Sequence, residues 1–157
     1  MVIKNLVFDL GNVIINLDIP RAESAFEELV GVSFLEATED DLKTFLDFET
    51  GRIEEAIFIN YFIRRAKKPI QALDVIRAWN AMLIDIPEQR LQMVEALSRS
   101  YRTFFLSNTN AMHLRWVSKY LSRHSDRYDS LDVLVETAFY SHKMGCRKTE
   151  SNIYEMM

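Results

Sequence analysis

VIKNLVFDLGNVI, residues 2–14, is the stretch that decides the fold. Val2, Ile3, Leu6, Val7 and Phe8 make a short apolar run, rich in β-branched side chains, that stops at an acid. A run of this kind bounded by turn residues reads as a buried parallel strand. Gly11 and Asn12 come next, and both tolerate positive φ at low steric cost, so the chain turns there. Asp9 is thereby placed at the carboxyl end of a strand, where open α/β sheets hold their ligands.

Beyond this strand the pattern changes. From Pro20 to about Leu83 the apolar residues recur at helical spacing, with no convincing strand among them. Asp18 and Pro20 mark a helix start, and Gly31 follows the stripe of Phe26, Leu29 and Val30. Thr50-Gly51-Arg52 breaks the run before a helix with Ile53, Ile57, Phe58, Phe62 and Ile63, and a further helix is expected over Ile70 to Leu83. Four helices in a row suggest a bundle inserted after the first strand. The βα rhythm then returns: a helix opened by Pro87, a second buried strand over Thr103 to Leu106, a helix with Leu114, Val117 and Leu121, and a third strand near Ala138 to Ser141. The expected division is an α/β core over 1–16 and 85–157, with a helical cap over 17–84.

Composition limits the partners. A chain of 157 residues, 48% hydrophobic, can bury a substantial core. With 19 basic and 23 acidic side chains the net charge is −4, which offers no general positive field for nucleic acid. A lone cysteine, Cys146, permits no internal disulfide, and no apolar run approaches the roughly 20 residues that span a bilayer. The expectation is a soluble, cytoplasmic protein without membrane or nucleic-acid partners; oligomeric state is not legible.

Three polar clusters each follow an expected strand: Asp9-Leu10-Gly11-Asn12, Ser107-Asn108-Thr109 and Gly145-Cys146-Arg147-Lys148. In a parallel sheet these strand ends share one edge, so the clusters can converge. A carboxylate can act as nucleophile, a hydroxyl with helix-start amides can hold phosphate oxygens, and an ammonium can offset developing negative charge.

FDLGNVI, FFLSNTN and SHKMGCRK, in that order, resemble the first three motifs of the haloacid dehalogenase (HAD) superfamily of hydrolases. The ETGRI segment, 49–53, and its neighbouring helices resemble the cap of the branch that holds glucose 1-phosphate phosphatases and the phosphatase domain of epoxide hydrolases. The resemblance implies a Rossmann-like parallel sheet with an inserted helical cap. It also implies a phosphatase acting on a small phosphorylated metabolite, such as a sugar phosphate, through an aspartyl-phosphate on Asp9. Ser107 and the amide of Asn108 would bind phosphate, and Lys148 would steady the nucleophile and the phosphoryl oxygens. Magnesium would sit at Asp9 and the backbone carbonyl of Gly11. A 2-haloacid dehalogenase, or a non-catalytic binding protein on the same fold, remains as an alternative.

Two departures from the family pattern stand out. The second aspartate, a general acid and base two residues after the nucleophile, is here Gly11, and Asp18 is a substitute donor only if it is not a helix cap. The fourth motif, an acidic pair after a further strand, is not reached before Met157. The expectation is therefore a core truncated at its C-terminus, with the first strand as an open edge and weak activity in the 157-residue form.

Other residues read blandly. Ser107 and Asn108 can cap a helix beginning near Thr109. Arg64, Arg65, Lys67 and Lys68 fit a solvated helix C-terminus. His113, His124 and His142 lack metal-ligand spacing. Cys146 reads as a loop residue near the pocket, and Tyr61, Phe62 and Trp79 as core packing.

Overall fold

The computed structural model describes residues 3–31, 36–150 and 152–155. It is an α/β fold with a parallel sheet. The strands β1 (Asn5–Phe8), β4 (Arg102–Ser107) and β5 (Thr137–Tyr140) lie in the order β1-β4-β5. Both pairings are parallel, with Phe8 opposite Phe105 and Ser107 opposite Tyr140. All three strands thus end at one edge, the condition for the polar clusters to meet. Helices α5 (Glu88–Ser98) and α6 (Ala111–His124) pack on this sheet, and Leu10, Ile14, Leu91, Val94, Phe105 and Leu121 form the centre of its core.

β1 is less buried than its apolar run alone predicts, and it stands at the edge of the described sheet. It pairs with β4 alone among the described residues, and Val7 keeps 49% of its surface exposed.

Four helices follow the first strand: α1 (Ile19–Val30), α2 (Glu39–Glu49), α3 (Glu55–Arg65) and α4 (Ala72–Asn80). Local chemistry sets their ends. Asp18 caps α1 by accepting from the Arg21 N–H, which is the capping role rather than the catalytic one; Gly31, at φ 75°, closes it. Thr38 and Asp41 make a reciprocal capping box on α2. The helices share a second core dominated by rings, in which Phe48 stacks on Phe58 at 4.3 Å and Phe45 on Trp79 at 5.3 Å. Tyr61 and Phe62 pack there as expected.

One charge from the basic run turns inward. Arg65 grips the buried Asp41 with two hydrogen bonds of 3.1 Å, and the Tyr61 hydroxyl donates to the same carboxylate at 2.8 Å. Burial alone would push the Asp41 carboxyl up, but these donors, with Thr38, together hold it well below the ordinary carboxylate range.

The last helix of this group ends at Asn80 rather than reaching Leu83, because the chain there becomes a strand. β3 (Leu83–Asp85) pairs antiparallel with β2 (Asn16–Leu17), and the Asn16 side chain donates to Asp85 at 2.6 Å. The entry and exit of the helical segment therefore run side by side. Periodicity misses this two-residue ribbon because neither strand is long enough to show alternation. No helix among the described residues is long and apolar enough to cross a membrane.

Candidate active site

The first loop is built around one carbonyl. Leu10 O accepts from the N–H groups of Val13, Ile14 and Ile15, while Asn12 N donates to Ile15 O. Leu10 and Ile14 anchor the turn in the core. Asn12 alone takes the positive φ, 55°, and its side chain accepts from Leu17 N at 2.9 Å. Gly11 does not need its conformational freedom here; it is small because a Cβ would stand 2.8 Å from the tip of Leu17. Its carbonyl takes no part in the loop's hydrogen bonds.

Asp9 lies just past β1 and remains partly open, with 43% of its side chain exposed. Its Oδ1 accepts from Leu10 N at 2.6 Å and faces Lys148 Nζ at 2.6 Å. Oδ2 has no partner among the described residues. The first and third clusters, 139 residues apart in the chain, are thus in contact. Lys148 is far from a solvated surface lysine, since only 22% of its side chain is exposed.

The second cluster joins them in a way the sequence did not indicate. Asn108 accepts the backbone N–H of Lys148 on its side-chain oxygen, at 2.9 Å, and so fixes the lysine loop. Ser107, the last residue of β4, is 3% exposed, and its hydroxyl makes no hydrogen bond among the described residues. The capping role expected of Ser107 and Asn108 belongs instead to Asn110, whose side chain accepts from His113 N as α6 begins at Ala111. Ser107 and Asn108 are left for other work.

Three further residues tie the site to the helical segment. Ser141, fully buried at the start of the short helix α7 (Ser141–Met144), accepts from Thr109 N at 2.9 Å and can donate to Glu49 O at 2.7 Å. Next to it, a Cβ on Gly51 would sit 2.1 Å from the His142 carbonyl, so only glycine permits this approach of the two backbones. The Glu49 carboxylate, meanwhile, meets Arg147, with Oε2 and Nε 2.7 Å apart; the angle is not that of an aligned hydrogen bond, so this is a charge contact. Burial pushes the Glu49 carboxyl up, and Arg147 opposes that. The ETGRI and SHKMGCRK stretches contain these residues, but their pairing depends on a docking of remote segments that spacing does not reveal.

Cys146 lies in the third loop, as expected, but is buried. It packs against Leu106 and Ile153 and helps hold the third loop from below. The histidines likewise serve packing: His113 stacks on Trp79 at 5.4 Å and contacts the Trp79 carbonyl at 3.2 Å. Among the described residues, no group of three or more His, Cys, Asp or Glu could hold a metal ion. Asp9 Oδ2 and the Gly11 carbonyl take no hydrogen bond among the described residues, and carboxylate and carbonyl oxygens are the hard donors that Mg²⁺ prefers.

No family model matches the chain. It is 25% identical over 158 residues to a D-ribitol-5-phosphate phosphatase of Bacteroides thetaiotaomicron, covering 99% of this chain and 75% of that protein. A HAD family enzyme of the same organism, solved with magnesium and inorganic phosphate, superposes with a TM-score of 0.82 at 30% identity, over 98% of this chain and 76% of that one. A HAD-like family hydrolase of Porphyromonas gingivalis superposes with a TM-score of 0.84 at 32% identity, over 99% and 74% of the two chains.

Proposed function

Because the chain belongs to the HAD family of hydrolases, we propose that it is a phosphatase for a small phosphorylated metabolite of the sugar or polyol type, with Asp9 as nucleophile and residues 17–84 as a cap over the site. The contact of Lys148 Nζ with Asp9 Oδ1 at 2.6 Å carries this reading, because it leaves Oδ2 as the oxygen to attack phosphorus. The likeness of the ETGRI segment to the cap of glucose 1-phosphate phosphatases and epoxide hydrolase phosphatase domains supports a small sugar phosphate as substrate. A polyol phosphate is favoured by the similarity to a D-ribitol-5-phosphate phosphatase.

In this reading Asp9 Oδ2 forms a bond to phosphorus as the ester P–O bond breaks, and the electron pair leaves with the alcohol oxygen. Lys148 fixes the orientation of the carboxylate and offsets charge on the phosphoryl oxygens, aided by the Ser107 hydroxyl and the Asn108 amide. Water then releases phosphate and restores Asp9. Asp9 and the Gly11 carbonyl would hold magnesium, which when bound neutralises charge on the transferring group. Gly11 supplies no proton to the departing alcohol, so solvent must do so, and leaving groups of low basicity are the fastest substrates.

The test is phosphate release from ribitol 5-phosphate and from sugar phosphates with and without Mg²⁺. Release that is lost with a chelator and in Asp9→Asn is the expected result. Metal-independent halide release from a 2-haloacid would replace this reading with a dehalogenase, and tight binding without turnover would replace it with a binding protein.

A further inference from the structure

Between α1, α2, α4 and the third loop lies an open cavity of about 550 Å³, whose wall includes Ile19, Leu46, Met82, Glu23, Glu49 and Arg147. It is mostly apolar, with its charge concentrated in two acids and one arginine. Glu49 is held at both ends by the loops of the candidate site. Its backbone carbonyl is reached by Ser141 Oγ, which also accepts from Thr109 N, next to Asn108. Its carboxylate meets Arg147, next to Lys148. The cavity is therefore joined, through Glu49 and Arg147, to the two loops that carry Asn108 and Lys148.

We infer that Glu49 selects the leaving group: the cavity takes an uncharged, hydroxylated carbon chain and rejects one that carries a second anionic group. This inference rests on the phosphatase reading above. Arg147 balances one negative charge, and that charge is already present on Glu49; Glu23 adds another that nothing in the cavity wall balances. A carboxylate or second phosphate on the substrate would meet net negative charge, from Glu49 and the solvent-exposed Glu23, beside largely apolar walls, where like charges are screened less than in bulk water. A hydroxyl faces no such penalty. Only Oε2 of Glu49 meets Arg147, so Oε1 is available to accept from a hydroxyl, and a carboxylate made less comfortable by burial gains from that donor.

The experiment compares kcat/KM for ribitol 5-phosphate with that for ribonate 5-phosphate, which differs by a carboxylate at the far end of the same chain. Wild type should favour the polyol at least about tenfold, the scale of one charge-assisted hydrogen bond. Glu49→Gln should bring the ratio toward one. Arg147→Met, which leaves Glu49 without its counter-charge, should move the ratio the opposite way. If wild type releases phosphate from acetyl phosphate while the ratio stays the same in both variants, the inference is overturned and the phosphatase reading stands. If wild type releases phosphate from none of the three compounds, the phosphatase reading falls and takes the inference with it.

Discussion

The side-chain oxygen of Asn108 accepts the backbone N–H of Lys148 at 2.9 Å, so the residue that follows Ser107 holds the loop that aims the lysine at Asp9. Removing that acceptor should unsettle the lysine without removing it. Asn108→Ala is expected to lower kcat/KM about tenfold to a hundredfold, as misplacement of a catalytic group does. It should cost only about 1 kcal/mol of stability, the net worth of one hydrogen bond. Steady-state phosphate release and urea unfolding measure the two effects separately.

Gly11→Asp would restore the acid missing from the first loop. The obstacle is the 2.8 Å approach to the end of the Leu17 side chain, which can rotate away. The expected outcome is a gain of about a hundredfold on alkyl phosphates, the lower range for general acid catalysis, and a much smaller gain on aryl phosphates, whose leaving groups need no proton. Rates across a series of leaving groups would show it as a shallower dependence on leaving-group basicity.

The Asp41 carboxylate is buried and bound by Arg65 and Tyr61, so Asp41→Ala should destabilise the protein by about 2–4 kcal/mol at neutral pH, through loss of the ion pair and its hydrogen bonds. The sign of its pH dependence follows from the lowered pKa. Asp41 contributes stability above the ordinary aspartate value near 4 that is lost as pH falls toward its folded value. Denaturant unfolding at pH 7 and pH 3 should show a gap between wild type and variant that narrows in acid.

His113 acts in the same direction at higher pH. Burial pushes its imidazole down to about 4, against the weaker opposing hydrogen bond with the Trp79 carbonyl. The folded protein therefore holds it neutral, while the unfolded chain takes up a proton below about 6.5. Its contribution is complete above that pH and is lost between about 6.5 and 4, a total of about 3 kcal/mol. Thermal unfolding followed from pH 7.5 to 4.5 should show the decline, and His113→Phe should flatten it.

Much of this architecture is visible in the residues themselves. The apolar run before Asp9, the turn at Gly11-Asn12 and the Asp18 and Gly31 helix ends are local features, and local chemistry determines them. What the sequence hides is set at long range. The β2–β3 ribbon depends on two remote segments meeting in register, with Asn16 opposite Asp85, 69 residues further on. The work of Asn108 depends on the height of the 145–150 loop over β4, and the contact of Glu49 with Arg147 on how α2 lies against α7. Cys146 is the loop residue it looks like, but its burial is hidden because its apolar partners, Leu106 and Ile153, come from separate elements.

That ribbon has a topological meaning. Leu17 and Leu83 are paired neighbours, close enough in an antiparallel ladder for a two-residue turn to join them. The intervening helices are thus a parenthesis in the chain: they leave and return at one point, so the strand that enters and the strand that leaves meet however far the chain travels between them.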